Sequence, residues 1–85
     1  MKYSLRFLPA AEKNYAALKD AKLLKGINRV LDEIKQDPFK FKKLSGPLAH
    51  LRSAKTFSFR ILYQIENKQL IVWVVSIDNR KDVYR

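Results

Sequence analysis

Phe57-Ser58-Phe59-Arg60-Ile61-Leu62-Tyr63-Gln64-Ile65 decides how this chain folds, together with Leu70-Ile71-Val72-Trp73-Val74-Val75-Ser76-Ile77 a short turn later. Both stretches are rich in β-branched and aromatic residues, which predicts two antiparallel strands joined near Glu66-Asn67-Lys68. Alternation splits the first strand into two sets. Phe57, Phe59, Ile61, Tyr63 and Ile65 form an apolar face that should meet the rest of the core. Ser58, Arg60, Leu62 and Gln64 face the other way. In the second strand both sets are apolar, which predicts a central strand covered on both faces, with Trp73 in the core.

Upstream, Tyr3, Leu5 and Phe7 alternate with Ser4 and Arg6, a short half-buried strand. Pro9 suits the first position of a helix, where its missing N–H costs nothing. Ala11, Tyr15 and Leu18 follow at helical spacing. Asp20 is placed to cap a second helix, in which Leu24, Ile27, Leu31 and Ile34 form the apolar stripe and Leu23 and Val30 flank it. Gly26 weakens that helix by about 1 kcal/mol relative to alanine. Pro38 ends it. Only a few residues join the helices, so they should form an antiparallel hairpin. The Leu23–Val30 side is left to dock a partner helix. Residues 39–47 are irregular, with Ser45-Gly46-Pro47 as a turn signal. A weak strand is expected around residues 48–54.

The predicted order is β-α-α-β-β-β. This is an α+β fold in which the three C-terminal strands make an antiparallel meander and the helical hairpin covers one face. At 85 residues, with no linker or repeat, residues 1–85 read as a single domain with a thin core.

The net charge of +10 comes from 18 Lys and Arg against 8 Asp and Glu, and it calls for an anionic partner. Cysteine is absent, which removes disulfides and thiolate metal sites. His50 is the one histidine and has no carboxylate cluster near it in sequence, so a zinc site is not expected and no cofactor is called for. The opening residues are too short an apolar run for a signal peptide, and no run approaches a membrane span of about 18 apolar residues. A cytoplasmic protein is the expectation.

Arg60 stands mid-strand in an apolar segment. Its five donors and permanent charge need solvent, a carboxylate or a ligand phosphate. Lys55 precedes it, Arg52 lies on the preceding strand or turn, and Arg80 and Tyr84 follow the last strand. Hairpin pairing can bring these groups to one surface. Lys40, Lys42 and Lys43, interleaved with Phe39 and Phe41, extend the basic character. Such a surface suits a phosphodiester: arginines bind phosphate and stabilise charge in a pentavalent transition state, and tyrosine stacks or exchanges a proton. Paired carboxylates for a two-metal nuclease are missing. Cleavage would therefore be metal-free and use the RNA's own 2′-hydroxyl. The plainer readings are an Arg60 ion pair with Asp78 or Asp82, an edge-packing Tyr84, solvated lysines and a surface His50.

The sequence resembles the RelE/ParE superfamily of toxins from toxin–antitoxin pairs over nearly its whole length. The likeness is carried by Asp37-Pro38, by Lys43-Leu44-Ser45-Gly46, by the segment Phe59–Ile65, and by Val75-Ser76-Ile77-Asp78-Asn79-Arg80-Lys81-Asp82-Val83-Tyr84. The RelE branch implies a ribosome-dependent mRNA endoribonuclease acting in the decoding site, inhibiting translation and held in a heteromeric complex by an acidic, RelB-like antitoxin. On that resemblance Arg60, Arg80 and Tyr84 are the catalytic set. Lys55, Arg52, Lys40, Lys42 and Lys43 are the RNA-binding candidates. Many relatives have histidine where this chain has Asn79, so the resemblance does not assign the proton donor. The ParE branch shares the fold and implies a DNA gyrase inhibitor without nuclease activity. A non-catalytic, protein-binding relative is the remaining alternative.

Overall fold

A computed structural model describes residues 2–79. Arg80 and Tyr84, expected at the site, lie outside the described residues.

The elements follow the hydrophobic periodicities closely. Strand β1 spans Ser4–Phe7, helix α1 Pro9–Ala16 and helix α2 Ala21–Gln36. Pro9 opens α1 as expected. The Asp20 carboxylate accepts hydrogen bonds from the backbone N–H groups of Lys22 (2.9 Å) and Leu23 (3.3 Å), satisfying two donors the helix start would leave orphaned. Then come β2 at Lys42–Lys43, a 3-10 turn at Gly46–Leu48, β3 at Arg52–Thr56, β4 at Phe59–Glu66 and β5 at Ile71–Asn79.

The described strands form one sheet in the order β1-β5-β4-β3-β2. β3, β4 and β5 are the expected antiparallel meander, while β1 pairs parallel to β5 and makes it central. Helix α1 lies against β5 and β1, and α2 reaches β3. The Tyr15 hydroxyl donates to Asn28 Oδ1 (2.7 Å) and ties the helices together. The core lies between helices and sheet: Ala11 from α1, Ile27, Val30, Leu31 and Ile34 from α2, and Ile61, Tyr63, Val72, Val74 and Ile77 from the sheet.

Five expectations change. Phe57 is not a strand residue. Thr56 pairs with Phe59, so Phe57 and Ser58 are a two-residue turn, with Phe57 at φ 53° and 58% exposed. The strand expected at 48–54 starts later, because 46–48 coil into the 3-10 turn. Trp73 is half-buried on the face away from the helices, not in the core, and its Nε1 donates to Glu66 Oε1 (3.0 Å). Among the described residues, β5 is central in the sheet but covered by helices on one face only. A bulge is the reason Ile77 buries alongside Val74. Leu62 pairs with Ser76 but Tyr63 pairs with Val74, so Val75 is the extra residue and the alternation changes phase. Val30 is in the core, so the Leu23–Val30 side is not a free docking face.

Candidate nucleic-acid interface

The face opposite the helices carries the candidate site, and strand register builds it. Lys55 on β3 is paired with Arg60 on β4, and Arg60 with Asp78 on β5. Side chains opposite one another in antiparallel strands share a face, so these three form one row across the sheet. Lys55 is exposed, whereas Arg60 and Asp78 are half-buried. The Ser76 hydroxyl donates to Asp78 Oδ2 (2.9 Å). The next row contains Ser76, Leu62, Ser53 and Lys42. Ser53 Oγ is buried and has no hydrogen-bond partner among the described residues. β5 is steadied just before this end, because Asn14 Oδ1 accepts from the Ile77 N–H (3.0 Å) beyond the last residue that β1 reaches.

The remaining predicted cations divide. Arg52 pairs with the core residue Tyr63 and so lies on the helix-side face, apart from Lys55 and Arg60. Its Nη1 donates to the carbonyls of Phe39 (3.2 Å) and Phe41 (2.8 Å), and its guanidinium sits 5.3 Å from the centre of the Phe39 ring. Those bonds close residues 39–41 onto the sheet edge. Tyr63 helps from beneath, its hydroxyl donating to the Pro38 carbonyl (2.7 Å). Burial pushes the Tyr63 phenol up to about 12. Lys40 is ion-paired with Glu33 (2.7 Å) and lies 5.5 Å from the centre of the Phe41 ring. The Lys40 ammonium holds the Glu33 carboxyl below its ordinary value, first through that hydrogen bond. Lys42 and Lys43 are exposed on β2, the sheet's edge.

Sequence reasoning thus located the Lys55–Arg60 pair. It did not separate Arg52 from that pair, because the one-residue phase between strands depends on where the β3–β4 turn falls. Phe57-Ser58 carries no glycine to mark it.

Residues 5–84 match the family described as the ParE toxin of the type II toxin–antitoxin system, parDE. The chain belongs to this family and lies within the RelE/ParE superfamily; it is a toxin of the type II toxin–antitoxin class. It is similar to Toxin RelG of Mycobacterium tuberculosis, with 28% identity over 86 residues, 100% of this chain and 99% of RelG. The fold is similar to that in the crystal structure of the toxin–antitoxin complex RelBE2 of M. tuberculosis, with a TM-score of 0.83 at 24% identity over 94% of this chain and 100% of the other. A mutant of E. coli toxin RelE in the free state gives a TM-score of 0.80 at 25% identity, over 96% of this chain and 87% of the other. Each match spans nearly the whole chain, and the α+β architecture is common to all the structures compared.

Proposed function

We propose that this toxin is an endoribonuclease that cleaves mRNA on the ribosome, and the cross-strand row of Lys55 and Arg60 carries the reading. Two cations on one face, two residues along β3 from Ser53, the partner of Lys42 on the edge strand, suit a phosphodiester chain. Arg60 would hold a non-bridging oxygen of the scissile phosphate and stabilise the charge that grows as the 2′-hydroxyl attacks. Arg80 and Tyr84 are proposed as its partners, the arginine on phosphate and the tyrosine stacking on a base or carrying a proton. Among the described residues Asp78 is the one carboxylate in that row, where a two-metal mechanism would need a cluster. The step is therefore read as metal-free. Similarity to RelE and RelG toxins over nearly full length supports the same choice.

Primer extension on translated and untranslated copies of one message tests it. Cleavage should appear on the translated copy alone. Arg60→Ala and Arg80→Ala should each reduce it about 100- to 1000-fold, the cost of one contact made to a transition state. Tyr84→Phe separates a proton-transfer role from a stacking one. Equal cutting of both messages would remove the ribosome requirement.

The family name favours a second reading, inhibition of DNA gyrase without cleavage. Transcripts intact at codon boundaries, with DNA damage responses induced, would decide for it.

We further propose an acidic, RelB-like antitoxin as partner, as in the complexes of the structural relatives. Charge opposition with a +10 chain supports this. A groove of about 410 Å³ between β1 and the two helices, lined by the apolar side chains of Leu5, Phe7, Tyr15 and Leu31 and by the charged Glu12, Asp32 and Lys35, is wide enough to seat apolar side chains of such a partner.

A further inference from the structure

A smaller cleft lies on the other side of the β2 edge. Its volume is about 160 Å³, and Phe39, Lys43, Ala49, His50, Arg52 and Ile65 line it. Three of the six are basic types and none is acidic. The volume is well below the roughly 300 Å³ where pockets for drug-sized ligands begin, so it suits a single small group. The guanidinium at its wall is already fixed. The two carbonyls it bonds and the Phe39 ring it stacks on hold Arg52 in place. Little side-chain entropy is then lost when an anion arrives.

The edge strand links this cleft to the Lys55–Arg60 row. Consecutive strand residues point to opposite faces. Lys42 pairs with Ser53, on the face of Arg60, while Lys43 pairs with Arg52, on the face of the cleft. One cation therefore stands on each side of the same exposed edge. Arg52 and Lys55 are three residues apart on β3, a separation of about 10 Å along the strand. A flexible polyanion that occupies one face can reach the other by passing over β2.

We propose that this cleft is a second phosphate subsite, taking one phosphodiester of a single RNA strand that crosses the β2 edge from the Lys55–Arg60 face. Lys43 and His50 supply the contacts, and Arg52 supplies fixed positive charge. The inference rests on the nuclease reading for its choice of ligand. The phosphate belongs either to the message or to ribosomal RNA, and the chemistry of the subsite is the same for both.

The test measures binding, not cleavage. The probe is a single-stranded RNA of eight nucleotides, 2′-O-methylated so that it cannot be cut by 2′-hydroxyl attack. Lys43→Gln should weaken binding about three- to tenfold at 0.1 M salt and lower the slope of log K against log salt by about 0.7, one phosphate's worth. His50→Gln should weaken it in the same direction. Lys25→Gln, an equal charge loss at an exposed position on α2, is the control for diffuse attraction. A second arm uses small ribosomal subunits carrying no message. Loss of affinity for the oligonucleotide assigns the phosphate to the message; loss for the subunit alone assigns it to ribosomal RNA. If Lys43→Gln weakens neither more than Lys25→Gln does, the subsite is overturned. Absence of mRNA cleavage by the unaltered toxin would instead sink the nuclease reading, while a Lys43 effect on the oligonucleotide would still stand.

Discussion

Tyr63 and Arg52 are register partners that do one job from two depths. Arg52 binds the carbonyls of Phe39 and Phe41 at the sheet edge, and the fully buried Tyr63 binds that of Pro38 beneath them. Together they fix the segment where α2 stops and the chain turns toward β2. Tyr63→Phe leaves the Pro38 carbonyl without its partner and should cost about 1–3 kcal/mol near neutral pH. The pH dependence has a definite sign. Burial raises the Tyr63 phenol from 10 to about 12, so the folded state keeps its proton after the unfolded state has lost it. Stability from this group is full below pH 10 and is lost as pH rises through 12. The gap between wild type and Tyr63→Phe should therefore narrow by about 1 kcal/mol between pH 8 and pH 11. Urea unfolding at the two pH values reads this, with the variant cancelling the titration of every other group. A gap that stays constant would mean the phenol is not protected.

The contact between α2 and the β3–β4 hairpin shows what one element imposes on another. Gly26 sits where a methyl group would run into the Phe57 ring, at Cε2, with Thr56 Oγ1 also close at 3.3 Å. Its role is to admit that ring. Phe57 in turn holds φ 53°, a region bulky residues avoid at a cost of about 1–3 kcal/mol. Gly26→Ala should gain about 1 kcal/mol of helix propensity and lose it again by displacing the ring. In a Phe57→Gly background only Thr56 Oγ1 still crowds the methyl, and the same change should stabilise by up to about 1 kcal/mol. Equal effects in the two backgrounds, by denaturant unfolding, would show that the ring and Gly26 are not coupled. The same pair explains what was legible in the sequence. β1, the two helices, the Asp20 cap, the stop at Pro38 and the two long strands each announce themselves within a few consecutive residues. Phe57 does not. It is a good strand former in a strand-like context, and only α2, some thirty residues upstream, makes it a turn. The parallel pairing of β1 with β5 is likewise absent from either strand taken alone. At the site, Arg60 stood out by its cost in an apolar strand, and Lys55 by its nearness. Arg52 and Lys55, three residues apart on β3, take opposite faces by alternation; which of them joins Arg60 follows from the turn, and so was hidden with it. The Lys42–Lys43 division across an edge needed β2 itself, two residues with no periodicity to detect.

Charge acts on the molecule as a whole. The chain carries +10, and Glu33, one of its eight acids, is shared between Lys40 at 2.7 Å and Arg29 at 3.9 Å. Sharing one acid between two cations leaves the excess positive charge in place. The shortest dimension of the fold is 22 Å. At 0.01 M salt the Debye length, about 30 Å, exceeds it, so cations on opposite sides of the molecule repel each other. At 0.1 M the length is about 10 Å, and only near neighbours interact. Raising monovalent salt over this interval should therefore raise the thermal midpoint of the free toxin. The same change should weaken its hold on single-stranded RNA, because each released counterion gains less entropy in a saltier solution. Stability and affinity moving in opposite directions is the signature of a surface whose charge serves a polyanion at the fold's expense. A midpoint that falls with salt would mean that local attractive pairs outweigh the net repulsion. An acidic protein bound at the same surfaces should stabilise the toxin in place of salt, and by more, since it binds the folded state alone. Thermal scans at the two salt concentrations, with and without bound RNA, measure both halves of this expectation on one sample.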